Sequence, residues 1–337
     1  AVPVERTIPE IVREAARRFG PSTALSDERR SVTHDGLIDA VDRMAAAAEA
    51  EGLGRPSRVR LIAFEQATML QEVQASSVLA LHRKFFADCG IEADTTMLPA
   101  STEQDVLTGE IVRACEDESF HGVTILLPAP DTIDMAVAIN TIEPAKEIEG
   151  MRWDNISAYL PGSPDEPRLP LIIIDVIRTV IAAAPAPVEP DAQWVVVDRP
   201  AMRHNLITKV LAHVGPGQVW PRDADIRFIP SDSEVLPQAC RAADVLLVAA
   251  EQNPGVITSG CVKPGAVVVD FSASLVAVHE KKDSTRRPVY QGAVRPEAAG
   301  NVASLSCPAP RSCGPLLLAG LARNAVLAVV ASGRDRG

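Results

Sequence analysis

Apolar positions along the chain alternate between two spacings. "HDGLIDAVDRMAAAAEAEG" carries an amphipathic helical stripe that Gly52 and Gly54 stop. "RVRLIAF" is short and apolar and predicts a strand. "MLQEVQASSVLALHRKFFADCG" predicts a long helix closed by Gly90, and "EADTTML" a second strand. "TEQDVLTGEIVRACED" predicts a helix with a capping-box start at Ser101 or Thr102. "FHGVTILLPAP" is a strand with no ionisable group from Val123 to Pro128, and the helix "TIDMAVAINTI" follows it. This β-α-β-α rhythm predicts a parallel sheet covered by helices.

After the proline-rich stretch "LPGSPDEPRLP" the rhythm restarts. "QWVVVDR", "DIRFIP", "DVLLVAA" and "GAVVVDFS" predict strands, and their apolar runs suit strands buried on both faces. The stretches "AMRHNLITKVLAHVG" and "SEVLPQACRAA" predict the helices between them. A last helix, "GPLLLAGLARNAVLAVVAS", is apolar on most sides and is expected to dock between or against domains. The expected fold class is α/β with two domains, the second Rossmann-like.

Length and charge narrow the picture. The 337 residues exceed one ordinary core, so two domains are expected. The net charge of -11 disfavours a phosphate-backbone partner, so no nucleic acid is expected. The six cysteines form no C-x-x-C pair, which gives no zinc pattern and suits small buried thiols. The longest apolar run is broken by Asp175 and Arg178, so it predicts a buried helix and not a membrane span. The first residues lack a basic region followed by an apolar stretch, so no signal peptide and a cytoplasmic location are expected.

Five stretches then follow one another in a telling order: "HGVTILLPAP", "TIDMAVAINTIEPAKEIEGMRWDN", "ADVLLVAA", "VKPGAVVVD" and "CPAPRSCGP". The set resembles the methylenetetrahydrofolate dehydrogenase/methenyltetrahydrofolate cyclohydrolase family. The resemblance runs from about Thr33 to Ser332. It implies a folate-type catalytic domain over 32–160, completed by a returning helix at 314–333, and a Rossmann-like domain over 165–313. It also implies a homodimer, a small-molecule folate ligand and NADP. Residues 1–31 are an N-terminal extension. The stretch from Thr7 to Gly54 resembles the opening of an adenylation domain without its nucleotide motif, and is read as a structural extension or a chance likeness.

The site positions that the resemblance implies are altered. The family's Tyr and Lys, four apart on the long helix, correspond to Val78 and His82. Its strand Gln corresponds to Leu126 and its Asp to Glu149. Substrate contacts are implied at Val78, Leu126 and Pro308, and catalytic roles at His82 and Glu149. A histidine titrates near pH ~6.5 without help, so His82 suits proton transfer, although a lone helical histidine is more often structural. Glu149 is either a pterin contact or a surface charge.

In the phosphate loop "DRPAMRHN", Asp198 and His204 replace glycines that let a backbone approach pyrophosphate. Arg199 and Ser231 stand where the family holds the 2′-phosphate of NADP. Leu169 and Ile172 stand where the family's Thr and Gly line the nicotinamide pocket, and Phe271, Arg311 and Ser312 replace glycines of two further motifs. NADP is therefore doubtful, and no metal is expected. Three functions stay open: a diverged enzyme of one-carbon folates, a silent binding or scaffold member, and an active NADP-dependent dehydrogenase.

Overall fold

The computed structural model describes residues 23–26, 31–33 and 57–334, except 161, 201–205, 223, 252, 281–285, 301 and 311–312. The helix expected in the first stretch, and the positions of His204, Arg311 and Ser312, lie outside the described residues.

Two short strands, β1 (Thr23–Ser26) and β2 (Ser31–Thr33), come first. A three-stranded parallel sheet follows in the order β4-β3-β5, from β3 (Arg58–Phe64), β4 (Glu92–Leu98) and β5 (Gly122–Ile125). Its connecting helices are α1 (Met69–Asp88) and α2 (Gln104–Glu116). The Thr68 side chain caps α1 by accepting from Gln71 N, and Gly90 ends its exit turn at φ 71°. The capping box expected for α2 does not form. Glu103 is the N-cap without a side-chain bond, and the Thr102 hydroxyl donates instead to Pro99 O at 2.7 Å. That local carbonyl takes the hydroxyl that would have capped the helix.

Helices α3 (Met135–Thr141), α4 (Trp153–Ser157) and α5 (Ile172–Ala182) lead into the second unit. It contains β6 (Trp194–Asp198), α6 (Leu206–Val214), β7 (Ile226–Pro230), α7 (Leu236–Ala242), β8 (Val245–Val248) and β9 (Val267–Asp270). A hairpin of β10 (Ser274–Glu280) and β11 (Arg286–Gln291) follows, then α8 (Pro296–Ala299), β12 (Leu305–Cys307) and α9 (Cys313–Arg334). The sheet order is β2-β1-β12-β9-β8-β6-β7, with every pair from β12 to β7 parallel and β1 antiparallel on β12.

Strand β6 shows why this sheet is doubly covered. Val195 and Val197 point into one core cluster, and Trp194 and Val196 into the other. The second cluster is continuous with Val59 and Leu61 of β3 through α5 and α9, so one apolar body joins the two sheets. Helix α9 packs on α5 and returns to α1. Gly320 is needed there, because a Cβ would sit 2.6 Å from Ile172 Cγ2. The Ser57 hydroxyl, just before β3, donates to Ala325 O of α9 at 3.0 Å.

The hairpin was not legible as an element in the sequence reading. Its strands are half-buried to exposed with no regular alternation, and it leans on α1 from the second unit.

Candidate active site

The folate-type positions fall on α1, just beyond β5 and in the segment after α3. Val78 packs against the cluster that contains Leu126, and Leu126 is 5% exposed just beyond β5. Leu126 N donates to Ile62 O at 2.8 Å, which fixes this wall onto β3. His82 lies one turn beyond Val78, with its ring 6.4 Å from that of Phe86.

His82 Nδ1 stands 2.8 Å from Val78 O. A carbonyl oxygen only accepts, so Nδ1 carries the hydrogen and Nε2 presents the lone pair of the neutral ring. Burial pushes the His82 pKa down, against the Val78 carbonyl, which favours the cation. A neutral imidazole with a bare Nε2 is an acceptor and a base.

Glu149 accepts from the Thr124 hydroxyl of β5 at 2.5 Å. The side chain is only half covered from solvent, yet enough protein surrounds the carboxyl for burial to push its pKa up against that hydrogen bond. It is tied to β5 and is not a free surface charge. Its neighbour Glu147 escaped the sequence reading. Glu147 is 3% exposed and accepts from Glu149 N at 2.8 Å, Met151 N at 2.7 Å and Arg152 N at 3.2 Å. That carboxylate folds the turn that presents Glu149.

Two buried amides hold the same turn from outside. Asn155 donates to Gly150 O and Leu169 O and accepts from Arg168 N and Leu169 N, which uses its whole capacity. Asn324 of α9 donates to Ile148 O and Pro170 O, each at 2.8 Å. Gly150 is required between them. It sits at φ 76°, and a Cβ would lie 2.7 Å from Pro170 O. The stretches "MRWDN" and "LARNAV" contain these asparagines, but only the fold shows what they bind.

From the other sheet, Pro308 is half-buried just after β12. Cys307 and Cys313 flank its loop as buried free thiols 3.3 Å apart at sulfur. Tyr290 of β11 brings its hydroxyl beside Ser77 of α1. The Ser77 hydroxyl donates to Val73 O, and the phenol oxygen is buried without a completed hydrogen bond.

The dinucleotide positions lie at the C-terminal edge of the larger sheet. The chain passes from β6 to β7 on one side and later to β8 on the other, so the edge of β6 is the switch point at which open α/β sheets bind ligands. Asp198 is fully buried there and its Oδ1 accepts from Arg199 N at 2.7 Å. Arg199 Nε donates to Glu251 Oε2, beyond β8, at 3.0 Å. Ser231 is 3% exposed after β7, and its hydroxyl has no hydrogen-bond partner. Ser231 therefore suits a polar ligand atom, whereas Arg199 is already paired. Asp270 ends β9, accepts from Ser272 N and Val294 N, and burial lifts its pKa to about 7 with Glu251 adding to the rise. Among the described residues no three His, Cys, Asp or Glu side chains group to hold a metal. No helix among them is long and apolar enough to cross a membrane.

These features define a two-domain α/β protein with a catalytic-type sheet and a doubly wound, dinucleotide-type sheet. Residues 67–149 match the family model for the catalytic domain of tetrahydrofolate dehydrogenase/cyclohydrolase. Residues 190–332 match the model for its NAD(P)-binding domain. The bifunctional protein FolD of Ehrlichia canis (strain Jake) is 30% identical over 245 residues, covering 71% of this chain and 74% of that protein. FolD of Chelativorans sp. (strain BNC1) is 29% identical over 255 residues, 74% of this chain and 80% of that protein. The chain belongs to the tetrahydrofolate dehydrogenase/cyclohydrolase family.

Solved structures agree on the fold. The Trypanosoma brucei N5,N10-methylenetetrahydrofolate dehydrogenase-cyclohydrolase, complexed with NADP cofactor and inhibitor, matches with a TM-score of 0.71 at 22% identity. The match covers 89% of this chain and 95% of that one. A 5,10-methylenetetrahydrofolate dehydrogenase from the silkworm Bombyx mori matches with a TM-score of 0.65 at 21% identity, covering 89% and 97%.

Proposed function

We propose that this chain is a diverged member of its family that acts on a tetrahydrofolate one-carbon adduct through His82, with the usual hydride transfer and cyclohydrolase chemistry weakened. The observation that carries this reading is His82 itself, whose Nδ1 stands against Val78 O, whose Nε2 is left bare and whose pKa is lowered by burial. Leu126 offers no polar atom with which to hold an imidazolium or orient a water. A proton can still pass to Nε2 from a water whose oxygen bonds to the one-carbon bridge, and Glu149 grips the pterin. The domains are 32–160 with the helix at 314–333, and 165–313. The protein is a cytoplasmic homodimer that binds a small folate.

The test measures hydrolysis of methenyltetrahydrofolate by wild type, His82→Ala and Leu126→Gln, with folate affinity by calorimetry. Wild type should turn over slowly, His82→Ala should lose about a further 100-fold, and Leu126→Gln should gain. Fast wild-type turnover that His82→Ala leaves unchanged would place the chemistry elsewhere. Absence of folate binding in all three would favour the silent-scaffold reading. Tight NADP binding with brisk NADP reduction would establish the active dehydrogenase instead.

A further inference from the structure

Three parallel strands that neighbour one another in the sheet are each followed or ended by an acid: Asp198 on β6, Glu251 beyond β8 and Asp270 on β9. Arg199 lies among them, with its side chain 34% exposed, and its Nε is held by the Glu251 carboxylate. The segment carrying Glu251 is stitched over the strand ends. Ala249 N donates to Val197 O at 2.8 Å, and Asn253 Nδ2 reaches Ser231 O at 3.5 Å. The segment thus spans from β6 to the end of β7, across the crevice of the switch point. A 2′-phosphate arriving there needs a free cation and finds one already neutralised by Glu251.

We propose that the Glu251 carboxylate holds Arg199 from within the chain in place of an anion, and so sets the strand ends where Arg199 and Ser231 lie against any nucleotide bearing a 2′-phosphate. This rests on the reading above that NADP chemistry is weakened, and assigns that weakness to one side chain. Removing the charge of Glu251 frees Arg199 to meet a phosphate bidentately, while the orphaned Ser231 hydroxyl gains an acceptor. A nucleotide without the 2′-phosphate makes no use of that cation and gains nothing.

The experiment compares adenosine 2′,5′-bisphosphate with adenosine 5′-monophosphate by calorimetry on the full chain. The variants are Glu251→Gln, Glu251→Gly and Glu251→Gln with Arg199→Ala. Both single variants are made so that the test does not hang on the folding of one. The expected result is at least about a 10-fold gain for the bisphosphate alone in each single variant, lost again when Arg199 is removed. Equal gains for both nucleotides, or a gain that survives Arg199→Ala, would overturn the proposal. Weak wild-type binding with no gain in either folded single variant would overturn it while leaving the proposed function standing. Tight bisphosphate binding by wild type would overturn both.

Discussion

Asn324→Ala should destabilise the protein by about 2–4 kcal/mol, seen as a lower urea midpoint with an unchanged slope. The side chain is fully buried on α9 and is the donor to two carbonyls from different segments, Ile148 O and Pro170 O. Alanine leaves both oxygens without that donor in a space from which water is excluded, and each such loss costs about 1–3 kcal/mol. Asn324→Asp tests the direction of the bonds, since a carboxylate cannot donate to a carbonyl and would be at least as damaging. Ile148 and Pro170 bracket the Glu149 turn and the start of α5, so folate affinity should fall with stability. A loss below about 1 kcal/mol in Asn324→Ala would show that these two hydrogen bonds do little to hold the last helix.

The same residue shows where the sequence stops being legible. The period of α9 and its mostly apolar surface predicted docking, and the packing on α5 and α1 agrees. Nothing in the sequence says which carbonyls a buried asparagine will find, because they belong to residues more than 150 positions away. The buried strands of the second sheet were readable because valine runs such as Val195–Val197 have one physical solution, coverage on both faces. The hairpin at 274–291 left no such pattern, because its strands are half-buried to exposed without regular alternation and lean on α1.

At the site, motif order pointed to Val78, His82, Leu126 and Glu149. The sequence exposed the loss of glycine at Asp198 but not the pairing of Arg199 with Glu251, since an ion pair across two strand ends leaves no spacing to read. Glu147 was passed over for a related reason. It stands two residues from Glu149 in one acidic run, and only the turn distinguishes the carboxylate that binds three backbone N–H groups from the one that is tied to β5.

Stability should fall as pH rises from about 5.5 to about 8, by roughly 2 kcal/mol for each of two buried carboxyls. Glu147 is lifted to about 7 by burial first and by the nearby Glu149 second, against its backbone donors. Asp270 is lifted to about 7 by burial, with Glu251 contributing, against the donors of Val294 and Ser272. A carboxyl whose folded pKa is raised binds its proton more tightly in the folded chain than in the unfolded one. The folded state is therefore favoured while the carboxyl is protonated, and that advantage disappears as pH climbs through about 7.

His82 works in the opposite sense. Its pKa is lowered by burial, so the unfolded chain takes up the proton first, and His82 costs stability as pH falls below the ordinary imidazole range. Two carboxyls against one half-buried imidazole leave a net loss of stability toward alkaline pH. Urea denaturation at the two pH values measures it directly, and His82→Ala should steepen the dependence by removing the opposing group. A stability that is flat or rising across that window would mean that the backbone donors around Glu147 and Asp270 outweigh burial and keep both carboxylates charged in the folded protein.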